Sequence, residues 1–183
     1  MTTTCTQIDL LKLFENGFST GHGVLREPND IASYSALACI AIQSNQNDQH
    51  GGQSIPNFDY GMAEGVGKTY RKAYVRMLTE AVEDRLDLED AVLPIKQTVA
   101  AAEAACAQQA RLENVPAFDE TVAKELGNRF ALNEKDAAHL IARARKRAYE
   151  LTNRETYQAM EGFVHNLNTM YSRAGAQTPF SSI

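Results

Sequence analysis

Cysteine is scarce in this chain and scattered. The three residues, Cys5, Cys39 and Cys106, have no spacing of a zinc-ligand pair and make no even set for a disulfide framework. An odd thiol count suits a reducing compartment. Long apolar runs are missing as well: none approaches the roughly 20 residues of a membrane span. The opening Met1 to Cys5 lacks the basic start and apolar stretch of a secretion signal. A cytoplasmic protein without a membrane partner is therefore expected. Basic charge is not in excess, the net charge being -5, so nucleic acid is not an expected partner. The one basic cluster, Arg143, Arg145, Lys146 and Arg147, sits in a helical pattern near Glu134, Asp136 and Glu150, and reads as a solvated helix face. The histidines at 22, 50, 139 and 165 form no metal-binding spacing, and no metal is expected.

What is present is the composition of a globular domain, 44% apolar and 22% charged over 183 residues, enough to bury a core. Residues 2–8 are short and β-branched and predict a strand. Leu10, Leu11, Leu13 and Phe14 predict a short helix stopped by Asn16-Gly17. A glycine-bearing loop follows at 19–23. Pro28-Asn29-Asp30 signals a helix start, and Ile31, Tyr34, Leu37, Ala38 and Ala41 recur at helical spacing to about Gln49. Residues 53–58 read as a short strand limited by Pro56. From Asp59 the chain is mostly helical. An alanine-rich helix is predicted over 88–111, kinked or restarted at Pro94. Pro116 breaks the pattern, Phe118-Asp119 starts another helix, and Asn133 caps a long one reaching Met170. A closing strand begins at about Thr178. Three strands joined by helical crossovers point to an α/β protein with parallel pairing.

Few residues carry obvious chemistry. Cys5, between hydroxyl residues on a strand, reads as a structural or a reactive thiol. Cys39 and Cys106 fall in apolar helical patterns and read as structural. The glycine segments at 20–23 and 50–53 could bring backbone N–H groups to a phosphate, but they match no P-loop or dinucleotide fingerprint and equally suit plain turns. The polar run Asn45 to Gln49 is either solvent-exposed or a hydrogen-bonding site. Near the last strand, Arg173 offers a fixed fork of donors to a phosphate or carboxylate.

Three ordered blocks carry a family resemblance. They are Thr3-Thr4-Cys5-Thr6-Gln7-Ile8-Asp9-Leu10 running on to Glu15-Asn16-Gly17-Phe18; Gln49-His50-Gly51-Gly52-Gln53-Ser54-Ile55-Pro56-Asn57-Phe58-Asp59, with Gly21-His22-Gly23 and Glu27-Pro28 before it; and Asn168 through Phe180. The chain thereby resembles the anaerobic (class III) ribonucleoside-triphosphate reductases over essentially its whole length. The stretch at about 83–135 is generic helix and adds little.

The resemblance implies a ten-stranded α/β barrel of the glycyl-radical type, of which residues 1–183 supply the first strands and their helices as one partial catalytic barrel domain. It implies reduction of ribonucleoside triphosphates to deoxyribonucleoside triphosphates by radical chemistry. In the family a thiyl radical takes the 3′ hydrogen of the ribose, and a first-strand cysteine helps reduce the 2′ position as water leaves. Cys5 matches that cysteine; where some relatives carry two adjacent cysteines, this chain has Cys5-Thr6. Ser181 and Ser182, with Arg173, are implied to meet substrate. Deoxynucleotide effectors are implied at a dimer interface on helices 29–49 and from 60 onward, with Lys72 the candidate phosphate contact and Arg71 the alternate.

The family's thiyl-loop cysteine, glycyl-radical segment, four-cysteine zinc site and ATP-cone are not found in these residues. The expectation is a fragment of the catalytic subunit, inactive alone. The glycyl radical, zinc and a radical-SAM activating protein would belong to the full-length enzyme. A partial barrel leaves open strand edges, so a homodimer is expected, or else helices repacked over the open sheet. The alternative is a non-catalytic deoxynucleotide-binding or dimerisation module.

Overall fold

The computed structural model describes residues 5–21, 23–48, 51–113, 115–169 and 181–183. In chain order these hold β1 (Thr6–Gln7), α1 (Leu10–Glu15), β2 (Phe18–Ser19), β3 (Val24–Leu25), α2 (Ile31–Asp48), β4 (Gln53–Ser54), α3 (Phe58–Leu86), α4 (Val92–Cys106), α5 (Pro116–Phe130), α6 (Glu134–Thr169) and β5 (Ser181–Ser182). The chain is helix-rich with few, short strands, as an α/β reading requires. Its contacts form two compact units, Met1–Lys68 with Arg154–Ile183, and Thr69–Asn153.

The first unit holds a parallel sheet in the order β1-β4-β5. The three strands fall where the sequence places them, although Cys5 lies just before β1 rather than on it. Helix ends follow local chemistry. Asp9 caps α1 by accepting from the Lys12 N–H at 3.2 Å. Asp30 and Ser33 cap α2 reciprocally: the Ser33 N–H donates to Asp30 Oδ1 at 2.9 Å, and the Asp30 N–H to Ser33 Oγ at 3.2 Å. Gly17 ends α1 with φ 70°, where a Cβ would collide with the Leu25 carbonyl oxygen. That close approach belongs to the antiparallel hairpin β2–β3, which the sequence reading had as a plain glycine loop. Ile31, Tyr34, Ile42, Ile55 and Phe163 are buried at the centre of this unit.

The second unit is helical. Tyr74 and Leu78 from α3, Val99 from α4, Phe118 and Val122 from α5 and Ile141 from α6 share its core. The alanine-rich segment is shorter than expected. Helix α4 starts at Val92, and Pro94 lies in its first turn, where its missing N–H costs nothing. Pro116 opens α5 at N1 for the same reason. Asn133 caps α6, its Oδ1 accepting from the Asp136 N–H at 2.9 Å.

Candidate functional site

Register sorts the sheet residues into two rows. Thr6, Gln53 and Ser181 are aligned across the three strands, as are Gln7, Ser54 and Ser182. Alternation along each strand sends the rows to opposite faces. Ile8 and Ile55 continue the first row and are buried. Cys5, two residues before Gln7, continues the second and is exposed. One open face thus carries a thiol, an amide and two hydroxyls from three strands. Ser181 and Ser182, paired in the sequence reading, are split: Ser182 shares the face of Cys5, whereas the Ser181 hydroxyl is buried without a hydrogen-bond partner among the described residues. Ser54 was not singled out from sequence, because a two-residue strand gives no period to read. Arg173 lies outside the described residues.

Behind the sheet the polar run of α2 finds its role. Gln53 is 3% exposed. Its amide nitrogen donates to the Ile42 carbonyl at 2.9 Å and to Gln46 Oε1 at 3.1 Å, and its oxygen accepts from Asn45 Nδ2 at 2.7 Å. Two clefts open beside β1. One of about 510 Å³ is lined by Gln7, Asp9, Lys12, Phe18, Ser44 and Asn45 among others, and one of about 250 Å³ by Gln7, Asp9, Ile55 and Asn57 among others. Both take in the carboxyl end of β1, the end at which open α/β sheets receive ligands.

The proposed effector residues separate. Arg71 is held by Glu103 in a two-pronged pair, Nε to Oε1 and Nη2 to Oε2 at 2.7 Å each. The Glu103 hydrogen bonds hold the Arg71 guanidinium above its ordinary range despite partial burial. Glu103 Oε1 also accepts from the Ala110 N–H at 3.1 Å, so the pair braces the end of α4. Lys72 lines a groove of about 600 Å³ between α3 and α4, with an apolar floor of Val75, Val92 and Ala100, and with Arg76, Lys96, Glu80 and Glu83 around it.

Two cationic side chains differ from the sequence reading. Arg145 is no part of a solvated face. Its side chain is 15% exposed and pairs with Asp119 at 2.7 Å, its guanidinium carbon 5.9 Å from the centre of the Tyr74 ring. Lys68, not singled out before, donates to Glu27 Oε1, to the Pro28 carbonyl at 3.2 Å and to the Tyr34 hydroxyl at 3.0 Å, and pairs with Glu64. Burial alone would lower its pKa; the bonds to Glu27, Tyr34 and Glu64 outweigh that and hold it above the lysine range. Apart from the Glu64–Lys68 spacing of four residues, neither cluster left a local sequence signal, because the other partners are far apart in the chain.

Among the described residues no group of three or more histidine, cysteine, aspartate or glutamate side chains could hold a metal ion. No described helix is long and apolar enough to cross a membrane. Compared with known families, residues 1–183 match the one described as anaerobic ribonucleoside-triphosphate reductase. No curated protein matches the chain.

Proposed function

The chain belongs to the family of anaerobic ribonucleoside-triphosphate reductases, and on that premise we propose that its open sheet face is one wall of the catalytic cavity, with Cys5 as the reducing thiol of the first strand. One observation carries the proposal: Cys5 continues the same face as Gln7, Ser54 and Ser182. The reaction replaces the ribose 2′ hydroxyl with hydrogen, releases water and consumes two electrons, which formate or an external thiol system supplies overall, with Cys5 as one thiol on the route. A thiol suits it, because an S–H hydrogen is readily exchanged, and the pairing of Thr6 with the Gly52 carbonyl ties down the adjoining residue. Gln7, Ser54 and Ser182 offer hydrogen bonds to the hydroxyls or phosphates of a ribonucleoside triphosphate lying along the face; Arg173 remains a candidate for its phosphate. The ten-stranded barrel, the glycyl radical, the zinc site and the radical-SAM activator are assigned to the full-length cytoplasmic enzyme, and residues 1–183 are proposed to be inactive alone.

The α3–α4 groove supports a second assignment. Lys72, Arg76 and Lys96 surround an apolar floor that suits a base, and Lys72 is proposed to contact the phosphates of a deoxynucleotide effector, in a homodimer. The alternative, a binding or dimerisation module without chemistry, rests on this groove alone.

The test is protection of Cys5. A ribonucleoside triphosphate should slow its alkylation in the purified chain, and Ser54→Ala with Ser182→Ala should abolish the effect. Nucleotide binding that leaves Cys5 equally reactive would favour the binding module. Turnover by the purified chain with an activating partner would overturn the proposed inactivity.

A further inference from the structure

The buried row of the sheet has an unusual occupant at its centre. Gln53 lies on the middle strand, which alone pairs with both neighbours. Along the same strand face Ile55 is apolar, as is Ile8 on β1, and an apolar residue at 53 would bury equally well. Such a residue would favour the same facing only by burial, as Ile55 does, and would have no directional partner. A slip of one residue would exchange the rows, sending Ser54 inward. Gln53 opposes that slip further because its bonds are directional. Both amide hydrogens and the amide oxygen are engaged, by Ile42, Gln46 and Asn45, all on α2. Rotated to the open face, the amide would leave Gln46 buried without this donor, a costly alternative.

The backbone then passes this placement on. The Thr6 N–H donates to the Gly52 carbonyl at 3.3 Å, the Ile8 N–H to the Ser54 carbonyl at 2.8 Å and the Ile55 N–H to the Ser182 carbonyl at 2.9 Å. Bonds on both sides of Gln53 thus fix β1, next to Cys5, and β5, next to Ser182.

We propose that Gln53 is a positioning residue whose amide clasp on α2 sets the facing and register of β4, and through it the Cys5–Gln7–Ser54–Ser182 row. The inference gives the row proposed above a physical cause and rests on that reading for its functional meaning.

The test needs no nucleotide, so its failure is separable from failure of the functional reading. Amide hydrogen exchange is followed at Ile8 and Ile55 in the 183-residue chain, with α4 and α5 amides as the internal reference. Gln53→Met keeps the volume and removes the directional bonds; protection at Ile8 and Ile55 should fall tenfold or more while the reference amides keep theirs. Gln53→Glu should behave like the methionine variant at neutral pH, where a carboxylate cannot donate to Ile42 or Gln46. In mild acid the protonated carboxyl regains one donor, and protection should return in this variant only. Should Gln53→Met unfold the whole chain, Asn45→Ala, which removes one bond, should give the same local pattern to a smaller degree. Undiminished protection in Gln53→Met, uniform loss across both units in Asn45→Ala, or no acid recovery in Gln53→Glu would each overturn the proposal.

Discussion

Gly65 lies against the ring of Tyr34 so closely that a Cβ on residue 65 would fall 2.7 Å from Tyr34 Cγ and 2.9 Å from Cδ2. Tyr34 has nowhere to retreat. It is 1% exposed, its ring meets Phe14 edge-on at 5.0 Å, and its hydroxyl accepts from Lys68. Gly65→Ala is therefore expected to destabilise the chain by about 1–3 kcal/mol through overpacking. Gly67→Ala meets nothing within 4 Å, and in a helix interior it should stabilise by about 0.5–1 kcal/mol. Denaturant unfolding of the two variants checks the pair; equal effects would show that helix propensity alone governs this stretch.

Adjacent cations on α3 should give unlike phenotypes. Arg71→Ala strips both bonds from Glu103 and should cost about 1–2 kcal/mol of stability, the open side of the guanidinium moderating the loss. Lys72→Ala should weaken deoxynucleotide binding about tenfold, whereas Arg71→Ala should leave it within about twofold. Calorimetric titration beside thermal melts separates the two. Unchanged binding in Lys72→Ala would count against the groove as the effector site.

Alkali should weaken the fold. Burial pushes the hydroxyls of Tyr34, Tyr70 and Tyr74 above their ordinary value of 10.0, and the bonded Lys68 is also raised. In the unfolded chain the tyrosines ionise near pH 10 and the lysine slightly above it. The folded state then binds more protons than the unfolded one, so stability falls as pH rises past about 10. These groups contribute no pH dependence between about 5 and 9. Tyr74→Phe deletes a buried hydroxyl with no hydrogen-bond partner among the described residues. It should hold stability constant or raise it by up to about 1 kcal/mol, with a shallower alkaline limb in urea melts run from pH 8 to 11.

Thiol chemistry should rank the cysteines by exposure. Cys5 is exposed, Cys106 half-buried at the end of α4, and Cys39 buried, with burial pushing its thiol up against an opposing hydrogen bond with Asn166. Iodoacetamide followed by peptide mass spectrometry should label Cys5 first, Cys106 next and Cys39 only on unfolding. Early labelling of Cys39 would contradict the packing of α2 against Phe163, whose carbonyl lies 3.8 Å from the thiol.

Local chemistry was legible in the residues. Asp30 and Asn133 act within one turn of themselves, and each begins a helix where it was read to; Pro116, read as a break before a helix at Phe118-Asp119, itself opens α5. The parallel strands were legible because β-branched and turn residues bound them. The hairpin was not: β2 and β3 hold two residues each, and Gly21 and Gly23 in their connection suit any loop. Arg145 was misread because its partner Asp119 is on another helix, which no local charge pattern reveals. On the candidate face, Cys5 was singled out from its own residues and then by the resemblance, and Ser182 by the resemblance alone, whereas the roles of Ser54 and Gln53 emerge only when register is known.

The parallel pairing of β4 with β5 also orders events in time. Helices α3 to α6 all lie between those strands in sequence. Loop-closure entropy grows with the intervening length, and long-range pairings form slowly. On a ribosome, every residue of Thr69–Asn153 has been synthesised, and its helices can pack, before Ser181 exists to pair with Gln53. The third strand of the β1-β4-β5 sheet is thus made after every helix of Thr69–Asn153, and synthesis interrupted before it would leave a folded helical unit and a sheet lacking that strand.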